Sequence, residues 1–419
     1  MADRKAGAGR LGIGLIGSGF NAGFHLQAFR AVRDADVRGV WSPTSANALA
    51  AVERARRYDV GEARSCASIG EMVADPAIDA LWLTGPNYRR LENIEEIVDA
   101  IERGRGTLRG IACEKPLARN VQEATRLVEL VRRTGIATGY LENHVFAPQV
   151  EAGHALAWKR GAAATGRPYL ARATEEHGGP HAPWFWRGEL QGGGVLSDMM
   201  CHSALLVRHL LTAPGAPLSS VRPLRVSAHI ASLKWTQPRY AEQLRRTHGS
   251  EIDYARHPSE DFASLRIEFG TDDGRTVIGE ATTSWSFVGA GLRVSAELLG
   301  PEYSMAWNTQ DSGLKLFFSR AVVAPAGEEL LEKQNAETGL MPVVANEAAA
   351  YGYEGEDRHF VRAFLGKEAP RLTMEDGLEV VRMLMAAYQS AEEGRTLAFP
   401  PPGLDQFVPA VAQGTWRPA

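Results

Sequence analysis

The stretch Leu11-Gly-Ile-Gly-Leu-Ile16-Gly17-Ser18-Gly19-Phe20-Asn21-Ala22-Gly23 decides how this chain is read. Leu11–Ile16 is a short apolar run, suited to a strand covered on both faces. From His25 to Val32 the sequence reads as a helix. Between the two, Gly17 permits the tight turn leaving the strand. Gly19 has no side chain, so a pyrophosphate can approach the backbone and the helix N-terminus behind it, beside Phe20 and Asn21. Ala22 or Gly23 lets helix and strand pack closely. Gly12, Gly14 and Gly17 also match the G-x-G-x-x-G pattern, but Gly12 and Gly14 lie inside the strand, so that register is rejected.

Outward from this turn, strands and helices alternate. Strand-like runs are Val37–Trp41, Ile78–Leu83, Gly110–Cys113 and Ile136–Tyr140; helical stretches are Ala46–Tyr58, Glu92–Arg103 and Val121–Thr134. Alternation of this kind implies βαβ units and a doubly wound parallel sheet, so the fold class is α/β. In that setting the glycine turn predicts dinucleotide binding. The second strand would end on an acidic residue for the ribose 2′-hydroxyl, or near an arginine for a 2′-phosphate. Here it ends Trp41-Ser42-Pro43-Thr44-Ser45-Ala46-Asn47 with neither charge. Ser42, Thr44 and Asn47 are the ribose candidates, and Arg54, Arg56 and Arg57 read as a solvated helix face. The expected cofactor is NAD, with NADP left open.

Composition bounds the rest. At about 150 residues per domain, 419 residues mean two to three domains. Hydrophobic residues at 44% and charged residues at 23% are those of an ordinary globular protein. With 46 Lys+Arg against 50 Asp+Glu the net charge is −4, leaving no basic excess for a phosphate backbone, so nucleic acid is not an expected partner. No apolar run reaches the roughly 18 residues needed to span a bilayer, and Met1–Arg10 does not read as a signal peptide. Cys66, Cys113 and Cys201 are scattered and odd in number, which fits a reducing compartment and a cytoplasmic protein.

Two constellations carry chemistry. Cys113-Glu114-Lys115-Pro116-Leu117 stands at the end of a parallel strand, where open α/β sheets bind ligands. There Lys115 would donate to a substrate hydroxyl and stabilise charge developing on its oxygen; the plainer reading is a surface lysine paired with Glu114. In Gly192-Gly-Gly-Val-Leu-Ser-Asp198-Met-Met-Cys-His202, three glycines lead into a helix, and residues four apart share one face. Asp198 and His202 would orient a diol and remove a proton. The alternative is an N-terminal Asp favoured by the helix dipole and a structural His. Just upstream, Glu175-Glu176-His177-Gly-Gly-Pro-His181-Ala-Pro-Trp184-Phe-Trp186-Arg187 reads as a loop, with rings for the C–H faces of a sugar and polar groups for its hydroxyls. His177, His181, Trp184, Trp186 and Arg187 are therefore substrate candidates; a Trp-rich core segment is the alternative. The polar stretch Lys234–Glu260, with Arg239, Arg245, Arg246 and His248, reads as a solvated loop, or else a lid, an oligomer arm or a grip on an anionic group. Phe262–Phe269, Thr276–Ser286 and Leu292–Leu299 alternate as sheet strands.

Together these features resemble the glucose–fructose oxidoreductase / inositol dehydrogenase / MocA (Gfo/Idh/MocA) family. The matching pieces are the G-x-G turn, Pro86-Asn87, Glu114-Lys115-Pro116, Asn143-x-x-Phe146-x-Pro148 and the GGG…D…H stretch. In the tail they are Phe360–Phe364, Gly366-Lys367 and Glu375–Glu393 with Tyr388-x-Ser390-Ala391. The resemblance implies a Rossmann domain over 1–145 and an α/β domain over 146–419 with a large, open, mostly antiparallel sheet. A C-terminal helix at about 373–393 would pack back on the first domain. It implies a catalytic set of Lys115, Asp198 and His202, with Pro86, Asn87, Glu114, Lys115 and Asn143 joining the cofactor site. Arg90 stands where many members have a histidine, and Arg103–Arg109 lengthens the approach to the E-K-P strand. His144 would face the cofactor or pack. The cluster Glu175, Glu176, His177, Asp198, Cys201 and His202 lacks a recognised metal-ligand spacing, and the family site works without one, so no metal is expected. The implied activity is NAD(P)-dependent oxidation of a secondary alcohol on a sugar, glycoside or cyclitol. The alternative is a redox-neutral, NAD-dependent glycosidase, possible on an anionic sugar such as a sulfosugar. An open sheet face implies a homo-oligomer.

Overall fold

In the computed structural model the described residues are 9–289, 291–311 and 344–418, with backbone alone at 315–318 and 339–342. They form two compact units. The first runs to Ala118 and takes in Glu123–Ala147 and Tyr351–Leu378; the second takes in Arg119–Gln122, Pro148–Ala350 and Glu379–Ala419.

The first unit is built on six strands: β1 Leu11–Ile16, β2 Ala35–Trp41, β3 Arg64–Ser65, β4 Ala80–Leu83, β5 Gly110–Glu114 and β6 Ala137–Leu141. Their spatial order is β3-β2-β1-β4-β5-β6 and every pairing is parallel. This is the doubly wound order in which the chain reverses direction beside β1, where dinucleotides bind. β1 and β4 are buried at every residue. That explains why both read as unbroken apolar runs rather than alternating ones. Helices Ser45–Arg57, Arg90–Glu102 and Val121–Thr134 fall close to the expected stretches, whereas the first, Phe20–Ala28, starts directly at the glycine turn, ahead of the expected His25, and gives way to a 3-10 turn at Phe29–Ala31. The chain returns late to this unit: helix Tyr353–Phe364 sets Phe360 against Gly139 of β6 and Phe364 against Gly110 of β5. A Cβ at those glycines would come within 2.6 and 2.3 Å of the rings.

In the second unit, β7 Leu170–Glu176, β8 Val221–Ala231, β9 Phe262–Thr271, β10 Thr276–Ser284, β11 Arg293–Leu299 and β12 Ser304–Asn308 join a large sheet. A further antiparallel pair is β13 Lys315–Phe318 with β14 Gly339–Pro342, and β15 is Leu397–Ala398. The large sheet runs β12-β11-β7-β10-β9-β8-β15. β7 and β10 pair parallel and the other neighbours antiparallel, as expected of a mostly antiparallel sheet. Helix Val195–Leu211 lies against β7 and β10 and is buried along nearly its whole length. Gly279 lets it approach: a Cβ there would sit 2.9 Å from Val207 Cγ2.

The polar stretch after Lys234 departs from the expected loop. It contains helix Pro238–His248, started by a proline at its first turn and anchored by buried Ala241 and Leu244, three residues apart. Among the described residues no helix is long and apolar enough to cross a membrane.

Candidate active site

At the switch point of the first unit, Gly17 has φ +113°, and a Cβ on it would meet the Gly85 nitrogen at 2.6 Å and Thr84 Oγ1 at 2.9 Å. The tight turn is thus obligatory. Gly19 differs: a Cβ there would meet nothing within 4 Å. It heads helix Phe20–Ala28, which has no side-chain cap and no acidic residue in its first turn. Open space over uncapped N–H groups at a positive helix end fits a pyrophosphate. Ala22 is buried; Gly23 makes room for the Arg54 guanidinium, whose Nη1 would lie 2.6 Å from an added Cβ. Arg54 is therefore packed against this helix rather than extended in solvent. Phe20 and Asn21 are half-buried, Phe20 edge-on to Phe24. Ser42 accepts a hydrogen bond from Ser18 at 3.0 Å, while Thr44 and Asn47 are exposed.

Around the E-K-P strand end, Pro86 is half-buried and Asn87 buried at the start of a short 3-10 turn, Asn87–Arg89. Arg90 is buried and donates to the carbonyls of Gly85 at 3.4 Å and Lys115 at 3.1 Å, tying the β4 turn to the β5 end. Lys115 is half-buried immediately after β5.

Two cofactor candidates face inward instead. Glu114 is buried; its Oε1 pairs with His25 Nε2 at 3.0 Å and its Oε2 accepts the Lys115 N–H at 3.0 Å. Its carboxylate thus braces the lysine's backbone against His25. Asn143 is buried and donates its amide to the Tyr351 carbonyl at 2.7 Å, so it anchors the returning chain. His144 is buried in the same turn, with Nδ1 3.9 Å from Glu142 Oε1.

Behind Glu114, His25 Nδ1 meets Asp357 Oδ1 at 2.9 Å, and Trp82 Nε1 donates to the same oxygen at 2.9 Å. Burial alone would lower the pKa of the His25 imidazole. The carboxylates of Asp357 and Glu114 outweigh it and hold the ring well above its ordinary value. Ligand-type atoms of His25, Glu356 and Asp357 lie within 4.8 Å of one another. Both His25 nitrogens, however, already serve Asp357 and Glu114, so the ring keeps no lone pair for a metal.

In the second unit Asp198 and His202 lie one turn apart on helix Val195–Leu211, both buried. Trp285, just past β10, donates Nε1 to Asp198 Oδ2 at 3.3 Å. His202 Nε2 is 3.9 Å from Oε1 of Glu175, near the end of β7. An imidazole with a carboxylate beside it is suited to taking a proton. Cys201 turns its thiol to the Asp198 carbonyl, as an ordinary helical residue does.

The upstream loop divides. His181 is exposed; Trp184 is half-buried and stacks on Phe185 at 3.8 Å. Arg187 is half-buried and paired with Glu189. Two residues do not fit the sugar-facing expectation. Trp186 is 2% exposed, enclosed by Trp235, Trp285 and Tyr254 at centroid distances of 5.1, 5.2 and 5.6 Å, with its Nε1 bonded to the Pro180 carbonyl. It is the core residue of the alternative reading. His177 is 0% exposed and accepts the Gly179 N–H at 2.9 Å, which shapes the loop. Trp285 was not singled out in the sequence. A lone tryptophan at a strand end carries no signal there, and its link to Asp198 spans 87 residues.

Residues 11–140 match the family model described as an oxidoreductase family with an NAD-binding Rossmann fold. Residues 161–305 match the C-terminal domain of the same family. The chain belongs to the Gfo/Idh/MocA family. Its first unit is an NAD-binding Rossmann domain, and NAD is its cofactor. The chain is 31% identical to levoglucosan dehydrogenase of Pseudarthrobacter phenanthrenivorans over 231 residues, covering 51% of this chain and 55% of that protein. It is 31% identical to 1,5-anhydro-D-fructose reductase of Ensifer adhaerens over 163 residues, 38% of this chain and 46% of that protein. It thus spans about half the length of the curated relatives it matches. Among solved structures, GenD2 from gentamicin A biosynthesis, in complex with NAD, superposes with a TM-score of 0.72 at 25% identity, over 93% of this chain and 96% of that one. Levoglucosan dehydrogenase, in complex with NADH and levoglucosan, gives 0.66 at 22% identity, over 93% and 100%; this second likeness shows the fold alone.

Proposed function

We propose that this family member is an NAD-dependent dehydrogenase acting on a secondary alcohol of a sugar, anhydrosugar or cyclitol. The observation that carries the reading is the buried pair of Asp198 and His202 on one helix face, braced by Trp285 and beside Glu175. The family's oxidoreductase description and the sugar-acting names of the relatives support it. Gly17, Gly19 and the start of helix Phe20–Ala28 would hold the pyrophosphate, with Ser42, Thr44 and Asn47 toward the ribose. Bound NAD supplies the hydride-accepting ring. His202 takes the hydroxyl proton, Asp198 orients the substrate's hydroxyls, and Lys115 stabilises the developing alkoxide. Glycoside hydrolysis without net redox gains no support from these relatives. Nor does an anionic grip stand out: Arg187 is engaged by Glu189, and Arg239, Arg245 and Arg246 lie exposed on their helix.

The test is a panel of pyranoses, anhydrosugars and cyclitols with NAD, followed for NADH formation. For the substrate found, Lys115→Ala and His202→Asn should each lower kcat by about 100-fold or more while NADH binding persists. Full turnover in both variants overturns the assignment.

A further inference from the structure

The helix that carries Asp198 and His202 begins without any cap of its own. Its N-cap is Gly194, which has no side chain to bond the N–H groups of the first turn. Two residues from distant parts of the second unit fill that role. Glu260, fully buried just ahead of β9, accepts on Oε1 the N–H of Gly194 at 2.9 Å and of Leu196 at 3.1 Å. Its backbone carbonyl accepts the N–H of Val195 at 3.1 Å. Tyr388 donates its hydroxyl to Glu260 Oε1 at 2.6 Å and accepts the N–H of Gly194 at 3.0 Å and of Ser197 at 3.1 Å. All four N–H groups from Gly194 to Ser197 are thereby satisfied before the Asp198 N–H closes the first helical turn on the Gly194 carbonyl at 3.1 Å.

This arrangement accounts for the run of glycines. A Cβ at Gly193 would lie 1.9 Å from the Tyr388 hydroxyl oxygen, and one at Gly194 would lie 2.4 Å from the Glu260 carbonyl oxygen and 2.7 Å from its Oε2. Gly192 and Gly193 have φ of +86° and +151°. The glycines leave room for a borrowed cap. The same observation separates the two sequence readings of Asp198. Capping of this helix end is performed by Glu260 and Tyr388, and the Asp198 carboxylate is turned to Trp285.

We propose that Glu260 and Tyr388 are positioning residues for the acid–base pair: locked to the first four N–H groups, they set the place and rotation of the helix that presents Asp198 and His202. The proposal rests on the reading of Asp198 and His202 as acid–base groups. Neither positioning residue touches substrate; both act through the helix backbone. A shift of about 1 Å in a catalytic group costs on the order of 100-fold in rate. Two side chains from segments 128 residues apart therefore hold a tolerance that one exposed cap would not.

The test uses the full chain with Glu260→Ala, Glu260→Gln and Tyr388→Phe. The last two keep the volume and so guard against a simple failure to fold. With the substrate identified by the panel, Glu260→Ala should lower kcat by about 10- to 100-fold. The NADH dissociation constant, read by fluorescence quenching, should be unchanged. Glu260→Gln should recover part of the rate, because its amide oxygen still accepts from Gly194 and Leu196. A folded Glu260→Ala or Tyr388→Phe variant with wild-type kcat overturns the proposal. If Lys115→Ala and His202→Asn retain turnover, it is the reading of the site that fails. Hydrogen exchange judges the cap independently of activity. The amides of Gly194 and Leu196 should lose protection in Glu260→Ala and that of Ser197 in Tyr388→Phe, and unchanged protection there also overturns the proposal.

Discussion

Gly17 and Gly19 stand two residues apart in one turn, and the same residue type serves different ends. At Gly17 a side chain would strike the Gly85 backbone and would have to adopt a positive φ. Gly17→Ala should cost about 2–5 kcal/mol in chemical denaturation. At Gly19 an added methyl group enters open space. Gly19→Ala should leave the denaturation midpoint nearly unchanged and weaken NADH binding, measured by fluorescence titration. Equal effects of the two variants on both measurements would contradict this division. Glu142 gives a pH-dependent case. Burial pushes its carboxyl up to about 7 from the ordinary 4.5. The folded state therefore holds a proton that the unfolded state releases, so the stability it contributes is present at low pH and declines as pH rises toward 7. Buried Glu260, also pushed up to about 7, adds a decline of the same sign. In Glu142→Gln, denaturation midpoints measured from pH 4.5 to 7 should fall less steeply than in the wild type, with the part due to Glu260 remaining. These residues were hidden in the sequence, because a buried glutamate and an exposed one are the same letter.

Among the elements, β1 and β4 were legible because a strand covered on both faces must be apolar throughout. Helix Ile69–Ala74 went unread although its signal was present. Ser68 accepts the Glu71 N–H at 3.0 Å and the Glu71 carboxylate accepts the Ala67 N–H, a serine-to-glutamate cap around only six helical residues. Helix Pro238–His248 was masked by its polarity, since its buried side is only Ala241 and Leu244. Contacts between elements are less visible still. Gly110 and Gly139 read as ordinary strand glycines, yet each is the seat of a phenylalanine from helix Tyr353–Phe364. Gly139→Ala would drive a methyl group to 2.6 Å from the Phe360 ring. It should destabilise the protein by about 1–3 kcal/mol, and Phe360→Leu in the same chain should recover part of that loss in thermal unfolding.

At the scale of the whole molecule, His25 joins three segments of the first unit: the helix at the glycine turn, the E-K-P strand through Glu114, and the returning chain through Asp357, 332 residues away. Removing one partner of a buried charged group leaves the others uncompensated, at a cost of about 3–5 kcal/mol. Asp357→Ala should show that loss in denaturation, and a loss below about 1 kcal/mol would mean that the cluster is not held by charge. The sequence by itself determined the strand–helix alternation around the dinucleotide turn and the one-turn spacing of Asp198 and His202, because periodicity, turn chemistry and helical spacing are local. Only the tertiary structure decided that Glu114 and Asn143 face inward, that Trp186 is core, and that Glu260 and Tyr388 cap the helix bearing Asp198 and His202. Those outcomes depend on which buried polar groups meet across tens to hundreds of residues, and a desolvated donor or acceptor takes whichever partner folding delivers.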